Sequence, residues 1–408
     1  MERLTRNERV LLIVAAVLAV FAGTFAWRNF TRAFPEANLV FSVNRSSSQP
    51  VAEAFVRKHA ERAAPVLAGR RHAAIFRYDN DAKVYLEREL GLEKLGAMIA
   101  ARDVRLWAWS HRWFKPLEKE ELRVQVSPEG EVTGFNHLIA EEAPGASLDE
   151  PAARAAADSL LQGAFGLAPQ QLTFIESRRE DRKQRRDWTF TYERSGWQAK
   201  DATYRMQVEV HGDEAAAYRE FLKVPDAWTQ GYQRLRSANN TTAMVAALGL
   251  VLTILAALWT IIREGRRGNL RWRVILTFTA LAFVLVFLLS LNDLPMSMYG
   301  FSTTDSWGAF LAKQVLGGLA GAGGQALLIL IVVAAGEPLY RQRFPSYLRV
   351  GALLSAKGWA SKRTVIGLAL GYCLAALFIA YQVGFYLFTA RFGAWNPAEI
   401  PFDNLLNT

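Results

Sequence analysis

The chain of 408 residues has a single cysteine, Cys373, and only five histidines, none of them after His211. Its long hydrophobic runs contain no acidic residue. Each shortage excludes something. One thiol makes neither an intrachain disulfide nor a thiolate metal cluster. Ionisable groups in hydrocarbon are costly and mark function, so runs without carboxylate or imidazole hold no acid–base machinery at their centres. His59, His72, His111, His137 and His211 have spacings that match no helical metal motif, and scattered core or surface histidines are the plainer reading.

Apolar residues, by contrast, are abundant and clustered. Half the residues are hydrophobic, and they gather in five blocks at 10–27, 243–262, 274–291, about 309–335 and 365–388. Each block is long enough to cross about 30 Å of hydrocarbon as a helix. The first ends in WRNFTR with no small-residue cleavage site, so it reads as an uncleaved anchor and not as a signal peptide.

Charge then orients the spans, because short cytoplasmic segments are enriched in Lys and Arg. MERLTRNER carries three arginines, REGRRGNLRWR five, and Glu337–Arg363 six basic residues, whereas Asn292–Ser306 carries none. The expected topology puts the amino terminus inside and residues 28–240 outside, in a bacterial inner membrane. The three inside segments hold 14 basic and four acidic residues, which is the whole net charge of +10. The basicity therefore reports topology and lipid headgroups, not nucleic-acid binding.

Residues 28–240 read as an inserted α+β domain. Helix-like segments at Pro50–Arg62 and Ser147–Gly163, the second with Ser147 as its expected cap, each precede aromatic strand candidates and hairpins. LWAWSHRWF, LRVQV and EVTGF belong to the first set, and DWTFTYE, YRMQV and HGD to the second. The predicted fold is thus an α-helical integral membrane protein with about five transmembrane helices, plus an extracytoplasmic domain of two helix-plus-antiparallel-strand units. The expected boundaries are 1–27 (start and first anchor), 28–145 and 146–240 (the two units) and 241–408 (a four-helix membrane domain). RREDRKQRR at Arg178–Arg186 reads as a solvated hairpin tip. Trp107, Trp109, Trp113 and Trp188 either form a ligand groove or fill the core. Gly317, Gly321 and Gly324 in the fourth apolar block are expected to let two helices approach closely. The loop LYRQRFPSYLRVGALLSAKGW mixes aromatic and basic residues and reads as interfacial or re-entrant.

The strand-and-helix pattern outside the apolar blocks is similar to small PepSY-like sensor modules. The phrases NDLPMSMYGFSTTDSWGAF, AAGEPLYRQRFP and ARFGAWNPAEIPFDNLLNT resemble the region preceding the catalytic core in long CPBP-family intramembrane metalloproteases, the CAAX-processing and bacteriocin-processing enzymes. That family's pattern is EExxxR followed by FxxxH and HxxxN or HxxxD, with the glutamate activating a water and the histidines binding metal. Glu337 and Arg341 fit its second Glu and its Arg, but Gly336 stands at the first Glu and both histidine motifs are lacking. Pro338 also suits a helix end better than a helix middle. Glu337 and Arg341 therefore read as a structural pair at the membrane edge.

Two functions stay open. One is the anchoring and sensing portion of a CPBP-type protease, truncated before its catalytic helices, with a divalent metal such as zinc only if that core exists and with helix partners completing the bundle. The other is a non-catalytic membrane sensor or scaffold that binds a peptide or envelope partner through residues 28–240. Neither reading assigns a cofactor to these 408 residues, and whether the protein takes part in an enzyme is left undecided.

Overall fold

The computed structural model describes residues 4–345, 351–352, 355–392 and 399–407. The chain divides into two units, one of residues 1–30, 230–292 and 313–388, the other of residues 31–229, 293–312 and 389–408. The loop expected to be interfacial falls partly at 346–350 and 353–354, outside the described residues.

The second unit is built on one eight-stranded antiparallel sheet. Helix α1 (Arg6–Ala33) leads into it, and α2 (Arg45–His59) precedes β1 (Arg71–Tyr78). Then come α3 (Asn80–Leu90), α4 (Leu92–Ala100), β2 (Trp107–Phe114), β3 (Glu121–Val126) and β4 (Val132–Leu138). The second half repeats the plan with α5 (Glu150–Phe165), β5 (Leu172–Asp181), β6 (Arg186–Ala199), β7 (Ala202–His211) and β8 (Glu214–Lys223). The strand order is β1-β2-β3-β4-β8-β7-β6-β5, so the two helix-plus-strand halves join through their fourth strands into one sheet. At that seam Phe135 pairs with Tyr218. A Cβ on the neighbouring Gly134 would lie 3.2 Å from the Tyr218 carbonyl oxygen, so glycine permits the approach.

Alternation explains which face is buried. Along β7, Ala202, Tyr204, Met206, Val208 and Val210 turn inward while Thr203, Arg205, Gln207 and Glu209 turn outward. With Leu122, Val124 and Val126 of β3 they form a core covered by α2 and α5. Each fully buried side chain of this kind contributes roughly 1.5–3 kcal/mol relative to exposure. Strand β2 differs, since all eight of its residues are buried. Its outward face is covered by residues after α8 (Leu294–Tyr299), where Phe114 and Ala73 pack with Phe301 and Phe310. Arg112 fixes this cover, donating from Nη1 to the carbonyl oxygens of Tyr299 (2.6 Å) and Phe301 (2.7 Å) and from Nε to Glu121 Oε2 (2.9 Å).

Local details correct several expectations. Helix α2 begins at Arg45, not near Pro50, because Asn44 caps it through Ser46 and Ser47 and Ser47 Oγ accepts in return from Asn44 N–H. Asp149, not Ser147, caps α5, accepting from Ala152 N–H. The basic hairpin tip is exposed at 178–181 and 183–184 as expected, but Arg185 is 4% exposed and donates to the Ala140 and Ala143 carbonyl oxygens as well as to Asp187. It acts as a buried clamp, not as a solvated charge.

Two buried ionic groups reinforce the sheet unit. Lys83 on α3 is 1% exposed and pairs with Glu36 and with Glu87 Oε1 at 3.6 Å. Burial raises the Glu36 carboxyl above its usual range, against the Lys83 charge. On the seam, His137 lies 3.0 Å from Glu120 and 3.8 Å from Glu214 at the start of β8. Burial alone would lower this imidazole, but the Glu214 and Glu120 carboxylates outweigh it and hold it above the usual histidine range.

The other unit holds most of the long apolar helices. Among the described residues five helices, Arg6–Ala33, Asp226–Arg266, Trp272–Tyr299, Trp307–Arg343 and Lys362–Phe392, are long and apolar enough to cross a membrane. Within them α6 is Asp226–Arg266, α7 is Trp272–Asn292 and α9 is Trp307–Arg343. The short α10 (Ala356–Trp359), then α11 (Lys362–Thr389) and α12 (Phe402–Asn407) complete the chain. The glycines that approach a neighbour are not the expected ones. Gly317, Gly321 and Gly324 are exposed with no neighbour within 4 Å of a built Cβ. Gly318 instead meets Ser290 Cβ at 3.1 Å, and Ala322 and Ala326, four and eight residues on, are buried on the same helical face. The packing stripe thus runs along Gly318, Ala322 and Ala326.

Candidate functional site

Glu337 and Arg341 lie near the end of α9, and the helix continues through Pro338. Arg341 Nε donates to Glu337 Oε1 at 3.2 Å, and its Nη2 donates to the Asn269 carbonyl oxygen at 2.6 Å. Asn269 and Gln342 in turn donate to Glu264 Oε2, at 2.8 and 2.9 Å. This network ties the α6–α7 turn to the end of α9. Glu337 is 4% exposed, with both oxygens facing Arg341. Such a geometry stabilises the turn between α6 and α7.

A more promising feature lies in the sheet unit, where a cavity of about 740 Å³ opens beside edge strand β1. One wall is the start of α2, with Asn44, Arg45, Ser46 and Gln49. The floor is His72, Ala73 and Ala74 of β1 with Trp109 of β2. Pro295 and Met298 of α8, Phe41 and Leu406 of α12 supply apolar surface. A few polar groups in a mostly apolar hollow are what small-ligand and peptide sites share.

Each wall has an identifiable cause. Trp109 Nε1–H donates to the Val43 carbonyl oxygen at 3.2 Å, and Arg45 Nη2 donates to the Leu406 carbonyl oxygen at 2.9 Å. Phe41, Phe76 and Phe402 form an aromatic cluster with centroids 5.4–6.4 Å apart. Asn407 is 2% exposed, and its side-chain amide pairs with the backbone of Phe76, accepting from N–H at 2.6 Å and donating to C=O at 2.8 Å.

Behind the cavity runs a chain of polar groups. His72 Nε2 lies 3.0 Å from His111 Nδ1, and His111 Nε2 lies 3.0 Å from Ser48 Oγ. The Ser48 hydroxyl donates to the Asn44 carbonyl oxygen at 2.7 Å. It must therefore accept from His111, which makes His111 Nδ1 the acceptor for His72 Nε2–H. Burial, then the neighbouring His72, pushes His111 down to about 3, and burial also lowers His72. Ser48 and His111 are both 0% exposed. The serine–histidine pair is therefore shut off from the cavity surface, and the chain links the cavity wall to the start of α2.

Of the four tryptophans read as either groove or core, only Trp109 lines this cavity. Trp107, Trp113 and Trp188 are core residues, 2–8% exposed, as aromatic strand residues packed under α2 and α5 should be. Among the described residues no group of three or more His, Cys, Asp or Glu side chains is arranged to hold a metal. Sequence reasoning missed Asn44, His72 and Asn407. The NRSS capping pattern was a usable signal for the first; the other two depend on contacts between distant segments. No family model, curated protein or solved structure matches the chain.

Proposed function

We propose that this chain is a membrane-anchored sensor or scaffold whose sheet unit lies outside the membrane and binds an envelope ligand in the cavity beside β1. Support comes chiefly from the cavity itself, large enough for a ligand and combining Trp109, Phe41 and Met298 with Asn44, Gln49 and His72. The five apolar helices would anchor it, and the Arg-rich turns would lie in the cytoplasm of a bacterial cell. Its role is recognition, because the buried serine–histidine chain and the Glu337–Arg341 pair are both committed to structure.

The resemblance to CPBP proteases gives a second reading, favoured by the buried Glu337 paired with Arg341 at i and i+4 on α9. In it the same sensing unit serves a metalloprotease core supplied by further helices, with the metal held there.

The test uses the full chain in nanodiscs, with Cys373→Ser and an environment-sensitive fluorophore on Ser46→Cys at the cavity rim. Envelope peptide, glycan and lipid fractions are titrated separately. A saturable response that disappears when Ser42→Trp fills the mouth supports the proposal. No saturable response to any fraction, or one indifferent to Ser42→Trp, overturns it.

A further inference from the structure

The parity of β1 identifies the chemistry that the cavity accepts. In an antiparallel edge strand, alternate residues turn both N–H and C=O toward the neighbouring strand, and the residues between them turn theirs outward. Asp79 N–H donates to the Leu106 carbonyl oxygen, so the odd-numbered positions face β2. Phe76 exchanges both of its backbone bonds with the Asn407 amide, so the even-numbered positions face the free edge. Ala74 and His72 are the next two outward positions, about 7 Å apart at strand spacing, and both line the cavity. Among the described residues, no hydrogen bond reaches the outward backbone groups of either.

Asn407 is thus a side-chain amide doing what the main chain of a ninth strand would do, at one position of this edge. From this we infer that the cavity takes an extended peptide, which adds as a strand to β1 by exchanging backbone hydrogen bonds with Ala74 and His72. This rests on the reading of the cavity as a ligand site. Strand addition draws affinity from main-chain bonds and specificity from pockets for alternate side chains. Here one set of peptide side chains would meet Trp109 and Phe41, and the other Met298 and Pro295 of α8. The occupant is therefore a peptide with apolar residues at alternate positions, running up to Asn407, which closes the edge at Phe76.

The experiment selects binders from a nonapeptide library against the full chain in nanodiscs, then methylates the backbone nitrogens of the best binder one at a time. A methyl group at a nitrogen facing β1 removes a donor and blocks pairing, whereas at the alternate nitrogens it points away. The expected result is affinity falling about tenfold or more at the one or two nitrogens that face Ala74 and His72, with the adjacent nitrogens tolerant. Ala74→Pro is the complementary change in the protein, deleting the outward N–H while leaving the β1–β2 bonds of Ala73 and Ile75 untouched. It should weaken the same peptide by a similar factor. Uniform tolerance of methylation, or no peptide binder at all, overturns strand addition. If glycan or lipid fractions still give the saturable response, the ligand-site reading survives that outcome.

Discussion

Replacing Lys83 by methionine probes the buried ionic group most sharply. Methionine keeps an unbranched apolar stem of similar length, so the change removes charge with little loss of packing. Lys83, Glu36 and Glu87 are all 1–3% exposed, and the change removes the charge that pairs with both carboxylates in the interior. At the 3.6 Å separation of Lys83 and Glu87, the attraction is roughly 4–5 kcal/mol with an effective dielectric near 20. That agrees with the roughly 3–5 kcal/mol observed when one partner of a buried pair is deleted. The loss should be largest above neutral pH and smaller in acid. A carboxyl whose folded pKa is raised, as Glu36 already is, binds its proton more tightly in the folded state. Its penalty is therefore present above the folded pKa and is relieved as pH falls through it. Urea unfolding of the full chain in detergent, followed by near-ultraviolet circular dichroism at several pH values, measures both effects. The double variant Glu36→Gln with Lys83→Met should recover much of the lost stability. A Lys83→Met variant within about 0.5 kcal/mol of the parent, or a loss that grows as pH falls, would refute the reasoning.

Other consequences are as direct. Because His137 is held above the usual histidine range, its contribution is complete below about pH 6.5 and is lost as pH rises through the folded value. Thermal melts from pH 6 to 9 should show that decline in the parent and a flatter profile in His137→Gln. Gly318→Leu should destabilise the packing of α9 on α7 by about 1–3 kcal/mol, whereas Gly317→Leu should leave the melting temperature unchanged. Arg112→Met removes both donors that hold residues 299–301, so limited proteolysis should cut within 299–306 faster than in the parent.

Much of this architecture was legible because two periodicities are strong in the sequence. Uninterrupted apolar runs marked all five long helices, and alternation marked LRVQV, EVTGF and YRMQV as β3, β4 and β7. Trp107–Phe114 showed no such alternation, and the structure gives the reason: Phe301 and Phe310, nearly 200 residues away, cover its second face. The glycines expected at the α9 contact differ from the residues that make it for a related reason. Composition shows that a helix face is small, but only the neighbouring Ser290 and Phe287 decide which glycine is used. The cavity was the least legible feature. Its walls come from five stretches, 41–49, 72–74, 109, 295–298 and 406, joined only by the fold. Asn407 pairs with a strand 331 residues away, a relation that no local pattern encodes.

Accessibility from the two sides of the membrane tests the account at its root, since a sensing cavity must face the ligand while the helices hold it in place. In a Cys373→Ser background, Ser46→Cys marks the cavity rim and Arg266→Cys the basic end of α6, both at exposed positions. Intact cells are treated with a membrane-impermeant maleimide before and after permeabilisation. The account predicts that Ser46→Cys is labelled at once and Arg266→Cys only after the membrane is opened; the opposite pattern would contradict it.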